Sequence, residues 1–175
     1  MESRGFTTLF RFDRVKEEQW ASYIEFSKLK QLDEVLSLDC VLCPTVIKEY
    51  EPDDWTRLAM DGALFGCFAD EAWARRRAPP ADATQLVCIE REPAAVFESL
   101  GAFVFEGLDL IEGATRISAL TNCGGFPLAF EPEELNSLGL LTTLQRAKEV
   151  QAKLLEKYPS EEHADTIIYA IYRIP

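Results

Sequence analysis

The segment Asp165–Ile174 constrains the fold more than any other part of the chain, because its apolar side chains alternate onto both sides of an extended backbone. One side carries Ile167, Tyr169 and Ile171, and the other carries Ile168, Ala170, Tyr172 and Ile174. A strand that is apolar on both sides is stable only where both faces of its sheet are covered. The sequence therefore predicts that this C-terminal strand lies in the centre of a sheet.

Other segments supply the remaining elements of the predicted fold. Four segments are rich in β-branched, aromatic or aliphatic residues and are predicted to be strands: 6–12, 84–90, 103–111 and 115–121. The last two flank a short turn with a glycine and so predict a hairpin. Helices are predicted from capping residues, breakers and apolar spacing over 14–31, near 53–55, and over 70–77, 93–100, 132–135 and 141–157.

These elements predict an α+β fold, a mainly antiparallel sheet of about five strands with helices packed on it and the C-terminal strand central. The length of 175 residues is typical of one domain, so residues 1–175 are expected to form a single α+β domain. Between 32 and 82, short apolar clusters alternate with prolines and glycines. This segment is a candidate irregular insertion.

The charge of the chain is strongly negative, −12 overall, and it is uneven. Residues 90–134 hold nine acidic side chains against two basic ones. Such a field repels nucleic acid and anionic lipid and attracts a basic protein. The sequence therefore favours a non-enzymatic protein-interaction module of the inhibitor or immunity type. Its expected partner-binding residues are Glu106, Asp109 and Glu112, around the predicted hairpin.

The apolar runs and the cysteines bear on the compartment. No run approaches the roughly 18 to 20 apolar residues of a membrane span, and no secretory signal is visible, so we expect a cytoplasmic protein without membrane contact. The five cysteines are an odd number in mostly apolar surroundings, as expected of reduced thiols. Cys40 and Cys43 have zinc-like spacing but no second pair, so neither a metal nor another cofactor is expected.

An enzymatic alternative rests on Cys123, which two glycines follow in a predicted turn. The only histidine, His163, could act as its base, with Asn122 or Asp165 orienting the imidazole. This set of residues is typical of a small cysteine-dependent hydrolase or transferase. Against it, Pro127 prevents a helix directly after the glycines, and the acidic flanks would raise the pKa of the thiol. The alternative is therefore the weaker of the two hypotheses.

Overall fold

The structure, a computed structural model, is an α+β fold in which helices pack on an antiparallel sheet. It describes residues 4–13, 15, 17–38, 67–77, 84–113, 117–122, 126–159 and 165–175. Four residues within these ranges are described by their backbone alone, namely Phe10, Glu17, Glu18 and Arg77. The predicted helix near 53–55 and most of the predicted insertion over 32–82 lie outside the described residues.

The elements of the described ranges follow in chain order. The strands are β1 (Arg4–Phe10), β2 (Phe12–Asp13), β3 (Glu34–Val35), β4 (Thr84–Arg91), β5 (Ser99–Leu100), β6 (Phe103–Glu112) and β7 (Thr166–Arg173). The helices are α1 (Glu17–Ser27), α2 (Glu71–Arg77) and α3 (Leu144–Lys157), and a short 3₁₀ helix covers Pro132–Glu134.

The main sheet has five strands in the order β1-β4-β7-β6-β5, and every neighbouring pair is antiparallel. Strands β2 and β3 form a separate two-stranded sheet. The last strand of the sequence is therefore the third of five in space. The predicted α+β class, the antiparallel sheet and the central C-terminal strand are confirmed.

Burial along β7 explains its central place. Ala170, Ile171 and Tyr172 are fully buried, although successive side chains face opposite sides of the sheet. Each large apolar side chain that leaves water stabilises the fold by about 1.5 to 3 kcal/mol. A position between β4 and β6, with both faces covered, buries these three side chains completely.

Helix α3 covers one face of the sheet, where it packs on β6 and β7. It begins after Thr143, whose hydroxyl accepts a hydrogen bond from the Arg146 N–H at 3.2 Å. Its buried residues, Ala147, Val150 and Leu154, recur at helical spacing. The predicted helix over 141–157 is therefore present with a later start.

Two segments without long regular elements contribute to the cover of the opposite face. Leu36 and Leu38 come from the chain after β3, and Leu140 comes from the loop before α3. They pack in one cluster with Val87 of β4 and Ile171 of β7. Both faces of the sheet are thus covered at its centre, where Val87 and Ile171 are fully buried.

The predicted helix over 93–100 is wrong. The chain there bends and then forms β5, after Glu92 adopts a left-handed backbone with φ of 47°. The Phe97 N–H donates to the Tyr172 hydroxyl, and the Glu98 carbonyl accepts from the Phe105 N–H. These contacts with distant strands replace the bonds that a helix would have made within the segment.

The predicted strand over 115–121 is also wrong within the part that the structure describes. Residues 117–122 form a single bridge, Ile111 to Ser118, followed by a turn. The Ser118 hydroxyl accepts hydrogen bonds from the amides of Leu120 and Thr121, which holds the chain in the turn.

Among the described helices, none is long and apolar enough to cross a membrane.

Candidate functional site

The residues of the enzymatic hypothesis are only partly described. Cys123 and His163 lie outside the described residues, as do Cys40 and Cys43. Asn122 and Asp165 are exposed. The Asp165 carbonyl accepts a hydrogen bond from the Gly113 N–H at 3.4 Å, at the entry to β7. The pairing of Cys123 with His163 in the enzymatic alternative stays a hypothesis.

Two of the three expected partner-binding carboxylates are buried. Asp109 has no exposed surface and Glu112 is 8% exposed, while Glu106 is half-buried. All three lie on β6, which is buried throughout only over residues 107–112. The expectation that all three carboxylates form an exposed binding surface therefore needs a correction. Asp109 and Glu112 are buried, so they do not reach a partner in this fold.

Asp109 joins three parts of the interior. The hydroxyls of Ser37 and Ser118 each donate to one of its carboxylate oxygens at 2.6 Å, and the Leu110 N–H donates at 2.9 Å. Burial raises the pKa of Asp109 above its ordinary value, and these hydrogen bonds oppose the increase only in part. The carboxylate ties β6 to the segment after β3 and to the turn at Ser118.

Arg173, at the end of β7, is the centre of a second polar network. Its Nε donates to Glu106 at 3.0 Å, and its Nη1 donates to Glu34 at 2.6 Å and to Gln85 at 2.8 Å. The Gln85 amide also donates to Glu34 at 2.9 Å. Residues of β3, β4, β6 and β7 therefore meet at one guanidinium.

The charge state of Arg173 follows from these contacts. Burial alone would lower the pKa of the guanidinium, but the hydrogen bond and negative charge of Glu34, with those of Glu106, raise it above its ordinary value. The side chain is 20% exposed, and Glu34 and Glu106 are 12% and 22% exposed. Arg173 is thus a permanent cation held in a fixed orientation.

A cleft of about 680 Å³ opens beside this network. Its lining includes the charged residues Arg11, Arg75, Arg173, Glu34 and Glu106. Sequence reasoning did not single out Arg173. The signal available in the sequence was the position of Arg173 directly after the apolar run of β7. A guanidinium at such a position needs hydrogen-bond partners from neighbouring strands.

Cys88 lies at a smaller cavity, of about 220 Å³, next to Phe6 and Phe103. It is 2% exposed, and burial raises the pKa of its thiol to about 11. The thiol is therefore protonated at neutral pH and is a poor nucleophile.

In the described ranges, no three His, Cys, Asp or Glu side chains are grouped so that they could hold a metal ion.

The loop from Glu92 to Glu98, named here the Phe97 loop, presents a different kind of surface. Phe97 is 54% exposed, and Glu92 and Glu98 beside it are exposed too.

Comparisons with family models, with curated proteins and with solved structures find no match to this chain. The functional assignment accordingly rests on these surfaces and their chemistry.

Proposed function

We propose that this protein is a non-enzymatic interaction module that binds a basic protein partner in the cytoplasm. One observation carries the proposal. Within the described part of residues 90–134, every exposed ionisable side chain is a glutamate. These side chains are Glu92, Glu98, Glu131 and Glu133. Charge of one sign attracts an oppositely charged partner and speeds its association.

The Phe97 loop is the best place for the contact. An exposed aromatic side chain with carboxylates on both sides has the composition of an interface, in which an apolar anchor is surrounded by a charged rim. Two hydrogen bonds also order the loop. The Phe97 N–H donates to the Tyr172 hydroxyl, and the Phe105 N–H donates to the Glu98 carbonyl. A loop that is already ordered loses less entropy when a partner binds.

This surface replaces the buried carboxylates as the proposed docking site. Glu106 is engaged by Arg173, and Asp109 is held in the interior by two serines. Both carboxylates therefore make structural contacts within the fold. The Cys88 thiol has the raised pKa of an unreactive cysteine. The exposed glutamates, rather than these buried groups, support the binding role.

The test begins with a probe, because the partner is unidentified. Random peptides displayed on phage are selected on the immobilised protein, and the enriched peptides are measured by biolayer interferometry. We expect peptides rich in lysine and arginine with at least one apolar residue. Phe97→Ala should raise their Kd by at least about tenfold, as for an interface anchor.

Charge variants separate a local contact from a general field. Replacing both Glu92 and Glu98 with glutamine should lower the association rate, and the loss should shrink as salt is added. The matched control removes the same charge from two exposed helical positions, Glu25 and Glu156. Equal effects of the two double variants, or enrichment of neutral or acidic peptides, would contradict the proposal.

A further inference from the structure

We infer that a pocket between the Phe97 loop and α3 receives one uncharged, apolar side chain of the basic partner. The inference rests on the proposed function, because it names the part of the partner that this surface recognises. The pocket, named here the anchor pocket, is bounded by residues 92–94 of the loop, by one side of α3 and by Ile168 of β7. Its volume is about 240 Å³.

The volume of the anchor pocket limits its occupant to one side chain. A dry cavity of about 150 Å³ between aliphatic and aromatic side chains holds a benzene molecule. Drug-sized ligands occupy pockets of about 300 to 1,000 Å³. The anchor pocket, at about 240 Å³, lies between these sizes. It therefore accommodates a side chain such as that of leucine or phenylalanine and is too small for a drug-sized ligand.

The wall from α3 consists of Leu144, Lys148 and Gln151, which follow one another at intervals of four and three residues. This spacing places the three side chains on one side of the helix. The same stripe runs beside Ala147 and Val150, which are buried. The wall thus lies at the border between the core and the surface, where a partner can reach it.

Hydrogen bonds to β7 fix both walls of the anchor pocket. On the loop side, the Glu92 N–H donates to the Ile168 carbonyl at 2.8 Å. On the helix side, Nε2 of Gln151 donates to the Thr166 carbonyl at 2.6 Å. Pro93 follows Glu92 and restricts the loop further, since its ring fixes φ. The pocket is therefore formed before a partner binds, which lowers the entropy cost of binding.

The chemistry of the lining selects an apolar side chain without charge. Ile168 is 4% exposed and Pro93 is buried, so the buried part of the lining is hydrocarbon. At the exposed rim, the ammonium of Lys148 balances the carboxylate of Glu92, and Nε of Arg91 also lies 3.6 Å from that carboxylate. A lysine or arginine of the partner would find no unmatched carboxylate here. An apolar side chain is stabilised by leaving water, which makes it the better occupant.

A basic partner fits this pocket better than a second copy of the chain does. Phe97 is exposed on the loop that forms one wall, so a partner that packs on Phe97 can extend into the pocket. Interfaces are centred on such anchors and pockets, with charged groups around them. Two copies of this chain each carry −12 and repel each other, whereas a basic partner is attracted. Its basic residues then pair with exposed glutamates outside the pocket, such as Glu98.

Two tryptophan substitutions test the pocket with a basic peptide from the phage selection. Ala94 lines the pocket and is exposed, so Ala94→Trp should fill the pocket and raise the Kd of the peptide at least about tenfold. Ala95→Trp is the matched control, because Ala95 is exposed on the same loop but lies outside the lining. It should change the Kd less than about threefold. Far-UV circular dichroism confirms that each variant keeps the fold.

A double-mutant cycle identifies the side chain that enters the pocket. Each apolar residue of the peptide is replaced by alanine, and one replacement should weaken binding to the wild type at least about tenfold. The same replacement should weaken binding to Ala94→Trp less than about threefold, because the pocket of that variant is already filled. It should keep its full effect on Phe97→Ala, since Phe97 lies outside the lining and contacts another part of the peptide.

Methyl NMR of the wild type gives a readout that needs no substitution. With labelled isoleucine methyl groups, the peptide should shift the signal of Ile168 and leave that of Ile24, on α1 and outside the lining, in place. An unmoved Ile168 signal, or equal effects of Ala94→Trp and Ala95→Trp, would overturn the inference. Binding that still depends on Phe97 would then leave the proposed function standing.

Sedimentation velocity tests the other occupant. The wild type should be a monomer at the concentrations used for binding. Self-association that Ala94→Trp removes would assign the pocket to a second copy of the chain and would overturn the inference. A selection that yields no basic peptide contradicts the proposed function, and the inference fails with it.

Discussion

Replacing Arg173 with methionine tests how much the polar network at the end of β7 stabilises the fold. Methionine keeps most of the apolar stem but removes the cation that Glu34 and Glu106 share. Removing one partner of a fully buried ion pair costs about 3 to 5 kcal/mol. The three side chains here retain 12% to 22% exposure, so water solvates the remaining carboxylates in part.

We therefore expect Arg173→Met to lower the free energy of unfolding by about 3 kcal/mol, below the centre of that range. For a chain of this length, the loss corresponds to a melting temperature about 6 to 12 °C lower. Urea denaturation followed by tryptophan fluorescence and circular dichroism measures it. Arg4→Met is the control, since Arg4 pairs with Glu90 at 3.5 Å and is 47% exposed, and it should cost less than about 1 kcal/mol.

A double-mutant cycle isolates the interaction with Glu34. Glu34→Gln removes the negative charge that faces Arg173, so the double variant should be more stable than the sum of the two single losses predicts, by about 1 kcal/mol or more. A loss below about 0.5 kcal/mol for Arg173→Met, or strictly additive single effects, would refute the reasoning that this network stabilises the sheet.

Three further predictions concern the interior. Gly107→Ala should destabilise the fold by about 2 to 4 kcal/mol in urea, because its φ is +153° and an added Cβ would lie 2.5 Å from that of Leu140. Gly101→Ala is the control, because Gly101 has φ of +63° and a Cβ added there would meet no atom within 4 Å. It should cost about 1 to 2 kcal/mol. Equal losses for the two variants would contradict the steric argument. The raised pKa of Asp109 means that the folded state binds this proton more tightly than the unfolded state does. Its contribution to the free energy of unfolding should therefore fall as pH rises from the ordinary pKa of 3.8 through the raised folded pKa. Urea titrations of wild type and Asp109→Asn should show the stability difference between them moving in that direction, and a pH-independent difference would disprove it. Mass spectrometry after alkylation at neutral pH should find Cys88 unmodified until urea unfolds the chain, and fast labelling of the native protein would contradict a thiol pKa of about 11.

The parts of the fold that could be predicted are those with a long, unambiguous period. The apolar alternation of β7 specified a strand buried on both faces, and the spacing of Ala147, Val150 and Leu154 specified the buried stripe of α3. In both elements, local preference and tertiary packing agree. The segment 93–100 shows the opposite case, because contacts with Tyr172 and Phe105 decide its conformation. Such contacts have no local pattern in the sequence.

The candidate sites were harder to predict than the fold, because charge along the sequence does not report burial. Asp109 and Glu112 add to the acidic count of residues 90–134, yet both are buried, and the serines that hold Asp109 lie 72 and 9 residues away. Arg173 likewise draws its partners from three other strands. These groups meet only after the sheet has formed, so their roles follow from register rather than from spacing.

The position of β7 has a consequence for how the chain folds. Its two neighbours, β4 and β6, both precede it in the sequence, and the pairs Val87–Arg173 and Ile111–Ile167 join distant parts of the chain. During synthesis β4 and β6 emerge before β7, and the gap between them stays open until β7 is available. Pairings of such long range slow folding, and the unfilled gap exposes apolar strand edges to other chains. A nascent chain of this topology is therefore a candidate client for chaperones until β7 inserts between β4 and β6.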